Sequence, residues 1–422
     1  MRILPDGLTG SIMAVEGISD ACVLLHGPGG CRIRHMVHSS VAFPRRGDEE
    51  GVSKGPYFYG YGRIPATYLD EYDYINGAAY KLDEAMGIIG DMDPALLVVI
   101  DSPGAALIGD DHLHAAEASG LGDRVMLFSS ETESKPLTES VGGMLRAVME
   151  HLRPERSAVR RGTVNLLGLS TLDKGWRYAR DELTSLLGSM GLEVIAAPGA
   201  GSSVEDLMAS VDAEYNVVVC PEMCAGLLEW YESAGVQTIR SEGGAPVGFD
   251  AVESWIRAVA DVAGADPAQA LSKVEACREA VFSKLAGMRY NAARIRGMTF
   301  SIAGTASVVR PLTEWLYSFL SMVPEAVAVD PGADRVESYK LRLFLESSDL
   351  GDSWGREPHG YVGAVLCEGV LAETMRLRGD CRVSIPIGYS SMGLDDIMPR
   401  PVYGLQGVLY ILDEILHGVR GS

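Results

Sequence analysis

In the segment His26-Gly27-Pro28-Gly29-Gly30-Cys31, the cysteine stands where a thiol can do chemistry. An apolar run, Ala21-Cys22-Val23-Leu24-Leu25, enters the segment, and Arg32-Ile33-Arg34-His35 follows it. Glycine permits close backbone approach and positive φ, and proline fixes the entry of the turn. Such a turn presents one thiol at the end of a strand or helix. The two arginines bring positive charge, which favours thiolate, the form that ligates metals and attacks electrophiles. On its residues alone, Cys31 is a candidate thiolate ligand or nucleophile. Two other groups carry chemically capable side chains. Cys220 and Cys224 form a lone CxxxC at a strand-to-helix turn and read first as buried or partly exposed thiols. His112 and His114, two apart at a helix start, read as solvated.

Whole classes of chemistry are excluded by what these groups lack. There is no GxxxxGK[ST] phosphate loop, so the chain is not expected to hydrolyse ATP or hold a nucleotide. The glycines at 199, 201 and 304 read as ordinary strand-to-helix turns. There is no GxSxG elbow, no HExxH helix and no four-cysteine zinc pattern. The 57 acidic against 36 basic residues give a net charge of -21, which argues against a nucleic-acid partner. Seven cysteines, an odd number, argue against a disulfide framework. Met1-Arg2 is not followed by a secretory apolar region, and no apolar run approaches the roughly 20 residues of a membrane helix. A cytoplasmic chain with no membrane association is the expectation.

The elements that must position Cys31 alternate between strand and helix. The apolar run Leu96 to Ile100 reads as a buried strand, followed by Asp101-Ser102-Pro103-Gly104 and a helix opening near His112. Val125 to Phe128 is a further strand and Ser140 to His151 a helix. This alternation predicts a parallel α/β sheet. A polar, proline-containing linker precedes a second unit beginning at Thr163, with strands Glu193 to Ala197, Asn216 to Cys220 and Gly235 to Ile239 and a helical region from Phe249 to Arg296. A third unit opens at Gly297, with a strand from Thr299 to Ala303, and closes with a helix from Leu405 to Leu416. The fold class is therefore α/β, with three Rossmann-like α/β/α units over 1–152, 163–296 and 297–422. Residues 43–63, rich in Gly, Pro, Arg and Tyr, are too long for a simple connection and read as a functional loop.

Four segments, in order, resemble the nitrogenase component 1 proteins, the group that includes the nitrogenase α and β subunits, the dark-operative protochlorophyllide reductase subunits and the nickel-sirohydrochlorin reductive cyclase. His26-Gly27-Pro28-Gly29-Gly30-Cys31 is similar to the family's HGPxGC. The stretch Thr67 to Gly77, with Glu71 and Asp73, resembles T-x-x-x-E-x-D-x-V-F-G-G. Leu107-Ile108-Gly109-Asp110-Asp111 matches L-I-G-D-D, and Tyr403-Gly404 with Gly407 resembles the terminal Y-G-x-x-G. The departures are as informative. Gly10-Ser11 stands where the family has Gly-Cys, Ser102 precedes the L-I-G-D-D segment where a third cysteine is usual, and no histidine occurs between Ile387 and Met392.

The resemblance implies three Rossmann-like units around a cleft. It implies an electron-accepting component, served by a separate ATP-dependent iron–sulfur reductase, passing electrons through an iron–sulfur cluster, of the 4Fe-4S kind, to a substrate. Cys31 is the implied ligand, with Ser11, Ser102 and Asp101 as oxygen candidates. A homodimer, or a heterodimer with a related subunit, places the cluster at an interface. His26 and the glycines shape the turn, while Asp110 and Asp111 cap the following helix. Cys220 and Cys224 belong to a separate substrate or metal pocket. The alternatives are a tetrapyrrole reductase or cyclase of the same family, and a non-catalytic scaffold for cluster assembly.

Overall fold

Strands that read as near-continuous apolar runs must be covered on both faces, which parallel sheets with crossover helices achieve. The structure, a computed structural model, describes residues 2, 4–42, 55–60, 62–129, 134–288, 294–389 and 398–420. Its first part runs α1 (Gly7–Glu16), β1 (Ala21–His26), α2 (Gly29–Ala42), α3 (Glu71–Asn76), α4 (Ala79–Gly90), β2 (Leu96–Asp101), α5 (His112–Ala118), β3 (Val125–Phe128) and α6 (Leu137–Leu152). The second runs β4 (Arg160–Leu167), α7 (Trp176–Gly188), β5 (Glu193–Ala196), α8 (Val204–Ala209), β6 (Ala213–Val218), α9 (Ala225–Ser233), β7 (Gln237–Ile239), α10 (Phe249–Ala263) and α11 (Ala268–Gly287). The third runs β8 (Thr299–Gly304), α12 (Ala306–Leu320), β9 (Val323–Val329), α13 (Arg335–Ser347), β10 (Val362–Cys367), α14 (Gly369–Arg378), β11 (Cys381–Pro386) and α15 (Gly404–Arg420).

The strands form three parallel sheets, ordered β1-β2-β3, β5-β4-β6-β7 and β11-β10-β8-β9. The α/β architecture with three separate parallel sheets is as expected. Several elements differ from what the sequence suggests. Gly29–Ala42 is a helix, although two glycines open it. The region after Phe249 is two helices, broken at Gly264, whose φ of 63° ends the first. Strands Val323–Val329 and Cys381–Pro386 and helix Arg335–Ser347 have no counterpart among the expected elements. The first carries Pro324 and Glu325, which break a simple apolar alternation. Of the loop at 43–63, residues 43–54 and 61 lie outside the described residues.

The hydrophobic cores are shared between sheets. One joins β4 and β6 to β8, β10 and α15; another joins α1, β1 and β2 to α6 and α9. Backbone also meets backbone where the first and second sheets adjoin. Gly17 O accepts Gly201 N–H at 2.7 Å, and Ser19 N–H donates to Ser202 O at 2.9 Å. A Cβ on Gly17 would lie 2.2 Å from Gly199 O. Both partners are main chain, so neither can rotate away. Gly17→Ala should therefore cost about 2–4 kcal/mol, read as a lowered urea midpoint. A midpoint within experimental error of wild type would contradict this packing.

Candidate functional site

Strands β1 and β2 end side by side, with His26 paired in register to Asp101. Both chain segments then turn sharply. The glycines of the first turn act through close approach, since neither Gly27 nor Gly29 has positive φ. A Cβ on Gly27 would sit 2.6 Å from Ser102 Oγ, and one on Gly29 would sit 2.7 Å from the Tyr68 ring. The turn is pinned by Thr67, whose Oγ1 accepts Gly27 N–H at 3.0 Å and lies 3.0 Å from His26 Nδ1. Ser102 N–H donates to His26 O at 2.8 Å.

Cys31 stands in the first turn of α2, half-buried, its N–H donating to Pro28 O at 3.1 Å. It packs against the core that α1 and α6 share. Ser11, on α1, is fully buried, and its Oγ has no hydrogen-bond partner among the described residues. Ser102 is also buried; its Oγ accepts Ala105 N–H at 3.4 Å within its own turn. Behind Cys31, Arg32 is almost wholly buried. Its guanidinium donates to the carbonyls of Phe58, Arg63 and Ile64 and, at 2.7 Å, to Tyr68 OH. It thus fastens the end of the 43–63 loop onto the Cys31 turn.

The remaining family-like residues of this end mostly build it. Asp73 is buried and completes a capping box with Asp70 at the start of α3, and it takes Lys81 Nζ at 2.6 Å. Glu71 is exposed in the first turn of α3, where an acid suits the helix dipole. Asp111 caps α5 as expected, accepting His114 N–H at 3.0 Å. Asp110 does not cap α5. Its Oδ2 lies 3.0 Å from His26 Nε2 and its Oδ1 accepts Ala78 N–H at 2.9 Å, after Gly109 turns the chain with a φ of 76°.

His112, read as solvated from sequence, is half-buried instead. Its Nε2 lies 2.8 Å from Asp101 Oδ1 and its Nδ1 lies 2.8 Å from Asp110 O. The Asp101 bond pushes the His112 imidazole above its ordinary range against the opposing effect of burial. Burial holds His26 below that range, despite Asp101 and Asp110 nearby. The signal that would have found His112 is in the sequence: a histidine directly after Gly-Asp-Asp, behind a strand ending in Asp. His114 is exposed.

Cys220 lies elsewhere, between the second and third sheets. Its Sγ is 3.4 Å from Glu222 Oε2 and 3.4 Å from Ser307 Oγ. Burial first, then the Glu222 charge, pushes this thiol well above its ordinary range. Cys224 faces away, donating to Cys220 O at 3.3 Å inside the core of the first and second sheets. The two thiols thus have different surroundings. Beside Cys220 is a cavity with about 20 Å³ of free space, lined by Asp173, Thr305, Asp330, Tyr389 and Tyr403 among others. That is room for about one water.

Asp173 is partly buried in this wall, and desolvation pushes its carboxyl up to about 7 despite the Ser170 N–H. Its folded form therefore holds a proton that the unfolded chain has released. That stabilisation is complete at acid pH and is lost progressively from about pH 4 to about pH 7. Asp173→Asn should gain about 2–3 kcal/mol on wild type between pH 5 and pH 8, measured from urea midpoints. Parallel pH profiles for the two proteins would contradict the assignment.

A family model described as nitrogenase component 1 type oxidoreductase matches residues 7–419. One subunit of the light-independent protochlorophyllide reductase of Rhodospirillum rubrum is 31% identical over 210 residues, covering 46% of this chain and 38% of that protein. The corresponding protochlorophyllide reductase subunit from Rhodopseudomonas palustris strain BisB18 is 29% identical over 274 residues, covering 63% and 49%. The chain thus spans about half or less of the length of these relatives. A structure of nitrogenase Cp1 at pH 6.5 superposes with a TM-score of 0.76 at 14% identity, over 100% of this chain and 94% of that one, which shows a common fold. No described helix is long and apolar enough to cross a membrane. With the match running through all three sheets and the Cys31 turn at the strand end, the chain belongs to the nitrogenase component 1 type oxidoreductase family.

Proposed function

We propose that this chain is the electron-accepting component of a two-component reductase. A separate ATP-dependent iron–sulfur reductase is the donor. An iron–sulfur cluster, of the 4Fe-4S kind, is the first acceptor, and the substrate lies in the cleft between the units. The observation that carries the reading is Cys31, on the first turn of α2, in the segment that resembles the family's HGPxGC and within the matched residues.

The residues fit a shared cluster better than one enclosed by a single chain. Cys31 offers a thiol at a helix N-terminus, which favours negative charge. Ser11 offers a buried hydroxyl without a partner among the described residues, and such an orphan calls for an explanation. Ser102 is occupied in its turn and Asp101 is held by His112. One thiol and one hydroxyl per chain leave coordination to be completed by a second copy or a related subunit. The surface at this end suits such a partner. Ile75 is 82% exposed and Leu107 88%, with Leu113 at 69% and Tyr72 at 65%.

When bound, the cluster supplies one-electron transfer at a potential set by its surroundings. The chain's own share is positional. Arg32 and Thr67 fix the turn that carries Cys31, and the α1 and α6 core behind it keeps out water. A tetrapyrrole substrate is favoured by one observation: the similar curated proteins are, by name, protochlorophyllide reductase subunits. The scaffold reading would be favoured by a cluster that moves to an acceptor protein with no turnover. The test is iron and acid-labile sulfide analysis of the chain purified anaerobically. Both are expected; the absence of both contradicts the proposal.

A further inference from the structure

We propose that His26, His112 and Asp101 form a binding site for one divalent transition-metal ion, of the zinc class, separate from any cluster at Cys31. These three residues each offer a ligand atom, and the three atoms all lie within 4.8 Å of one another. They come from positions the fold holds firmly. His26 and Asp101 are the paired last residues of β1 and β2, and His112 opens α5, whose N-cap is Asp111. The site is therefore at the carboxyl ends of parallel strands, where open α/β sheets place their ligands.

The hydrogen bonds around the site orient both rings. His112 Nδ1 lies 2.8 Å from the carbonyl of Asp110, which can only accept, so Nδ1 carries a proton. Nε2 is then left facing Asp101 Oδ1 at 2.8 Å. A lone pair and a carboxylate oxygen at that distance are bridged by a proton in the metal-free chain, and that proton leaves when a metal ion takes both atoms as ligands. His26 is held at both ring nitrogens, so a metal ion would replace one of these two bonds. Its Nδ1 faces Thr67 Oγ1 at 3.0 Å, and Asp110 Oδ2 lies 3.0 Å from its Nε2. Metal-bound histidines are held in this way, with the second nitrogen on a carbonyl, carboxylate or hydroxyl. The two rings meet edge to face, with centroids 5.5 Å apart, so their nitrogens converge without stacking.

The donor set selects the ion. Two imidazoles and one carboxylate suit zinc and its neighbours in the first transition row better than calcium or magnesium, which take oxygen donors. Asp101 and His112 face open space, while His26 is fully buried behind them. A cavity of about 300 Å³ adjoins the site, lined by Asp101, Gly109, Asp110, His112, Phe128 and Ser129 among others. Space on the Asp101 and His112 side leaves room for a water or a ligand's oxygen to complete the coordination of a three-ligand metal.

The test is a titration of the full chain with Zn2+, after removal of adventitious metal with a chelator, reading zinc per chain with iron measured on the same sample. Co2+ serves as a coloured replacement. One equivalent per chain is expected, with visible Co2+ bands of a nitrogen and oxygen site and a raised melting temperature. His112→Ala and Asp101→Asn should each weaken binding about 100-fold or more, whereas His114→Ala, on the exposed neighbour, should not. The wild-type titration stands whether or not a variant folds: no zinc or cobalt uptake overturns the proposal. Uptake that is unchanged in both His112→Ala and Asp101→Asn overturns it as well, and leaves His112 and Asp101 as an imidazolium–carboxylate pair.

Discussion

Glu222→Ala should lower the stability of the chain by about 2–4 kcal/mol. Glu222 is buried in the short turn that follows β6, and it reaches across to the third sheet. Its Oε1 accepts Ser307 N–H at 2.9 Å and its Oε2 accepts Ser307 Oγ–H at 2.6 Å. Ser307 is in the first turn of α12, whose N-terminal N–H groups have no partner within the helix. The N-cap of α12, Thr305, makes no side-chain capping bond, so Glu222 takes the place of a cap from another unit. Alanine would leave the buried Ser307 N–H unsatisfied and its hydroxyl with only the Cys220 sulfur, and would open the wall beside Cys220. Glutamine keeps one acceptor oxygen and should lose about half as much. Urea midpoints for the two variants check this; an alanine variant as stable as wild type would show that the contact contributes nothing to holding the two units together.

Cys31→Ala should abolish iron and sulfide binding while sparing the fold. The thiol is half-buried and contributes one atom to the edge of a large core, so truncation should cost about 1 kcal/mol. The turn itself is held by Thr67, Arg32 and the contact of Gly27 with Ser102, none of which needs the sulfur. Loss of the cluster with an unchanged circular dichroism spectrum and melting curve is the expected pair of results. A full complement of iron in Cys31→Ala would place the cluster elsewhere. The thiols of the other two units do not offer an equivalent at Cys220, Cys224 or Cys367. Burial pushes all three up, which keeps them protonated in the absence of a metal.

The parts of this molecule legible in sequence are those that local physics decides. Leu96 to Ile100 is apolar throughout because both faces of β2 are covered, and it forms the strand its composition predicts. Asp111 is recognisable as a cap because a cap is a local bond. What the sequence hides is decided by distant contacts. Gly29–Ala42 is a helix despite its glycines because Tyr68 fills the space above Gly29 and the Phe58 and Ile64 carbonyls anchor Arg32. Asp110 resembles a second capping residue, yet it is drawn to His26, 84 positions earlier in the chain. His112 looks solvated because its immediate neighbours do not show how close the end of β2 comes, and only the strand-ending Asp101, 11 positions earlier, hints at its partner. The Cys31 turn is readable from its residue types and their order. The surroundings of Cys220, which join β6 to β8 and the tyrosines at 389 and 403, are not.

The central claim is that electrons enter this chain at Cys31, and the oxidation of its proposed donor tests that most directly. A reduced ATP-dependent iron–sulfur reductase, mixed anaerobically with the chain and MgATP, should be oxidised within the mixing experiment and read by its own absorbance. Oxidation should require both ATP and the wild-type chain, and Cys31→Ala should leave the donor reduced. Donor oxidation at the same rate with Cys31→Ala, or none with a wild-type chain that carries iron and sulfide, would contradict the account.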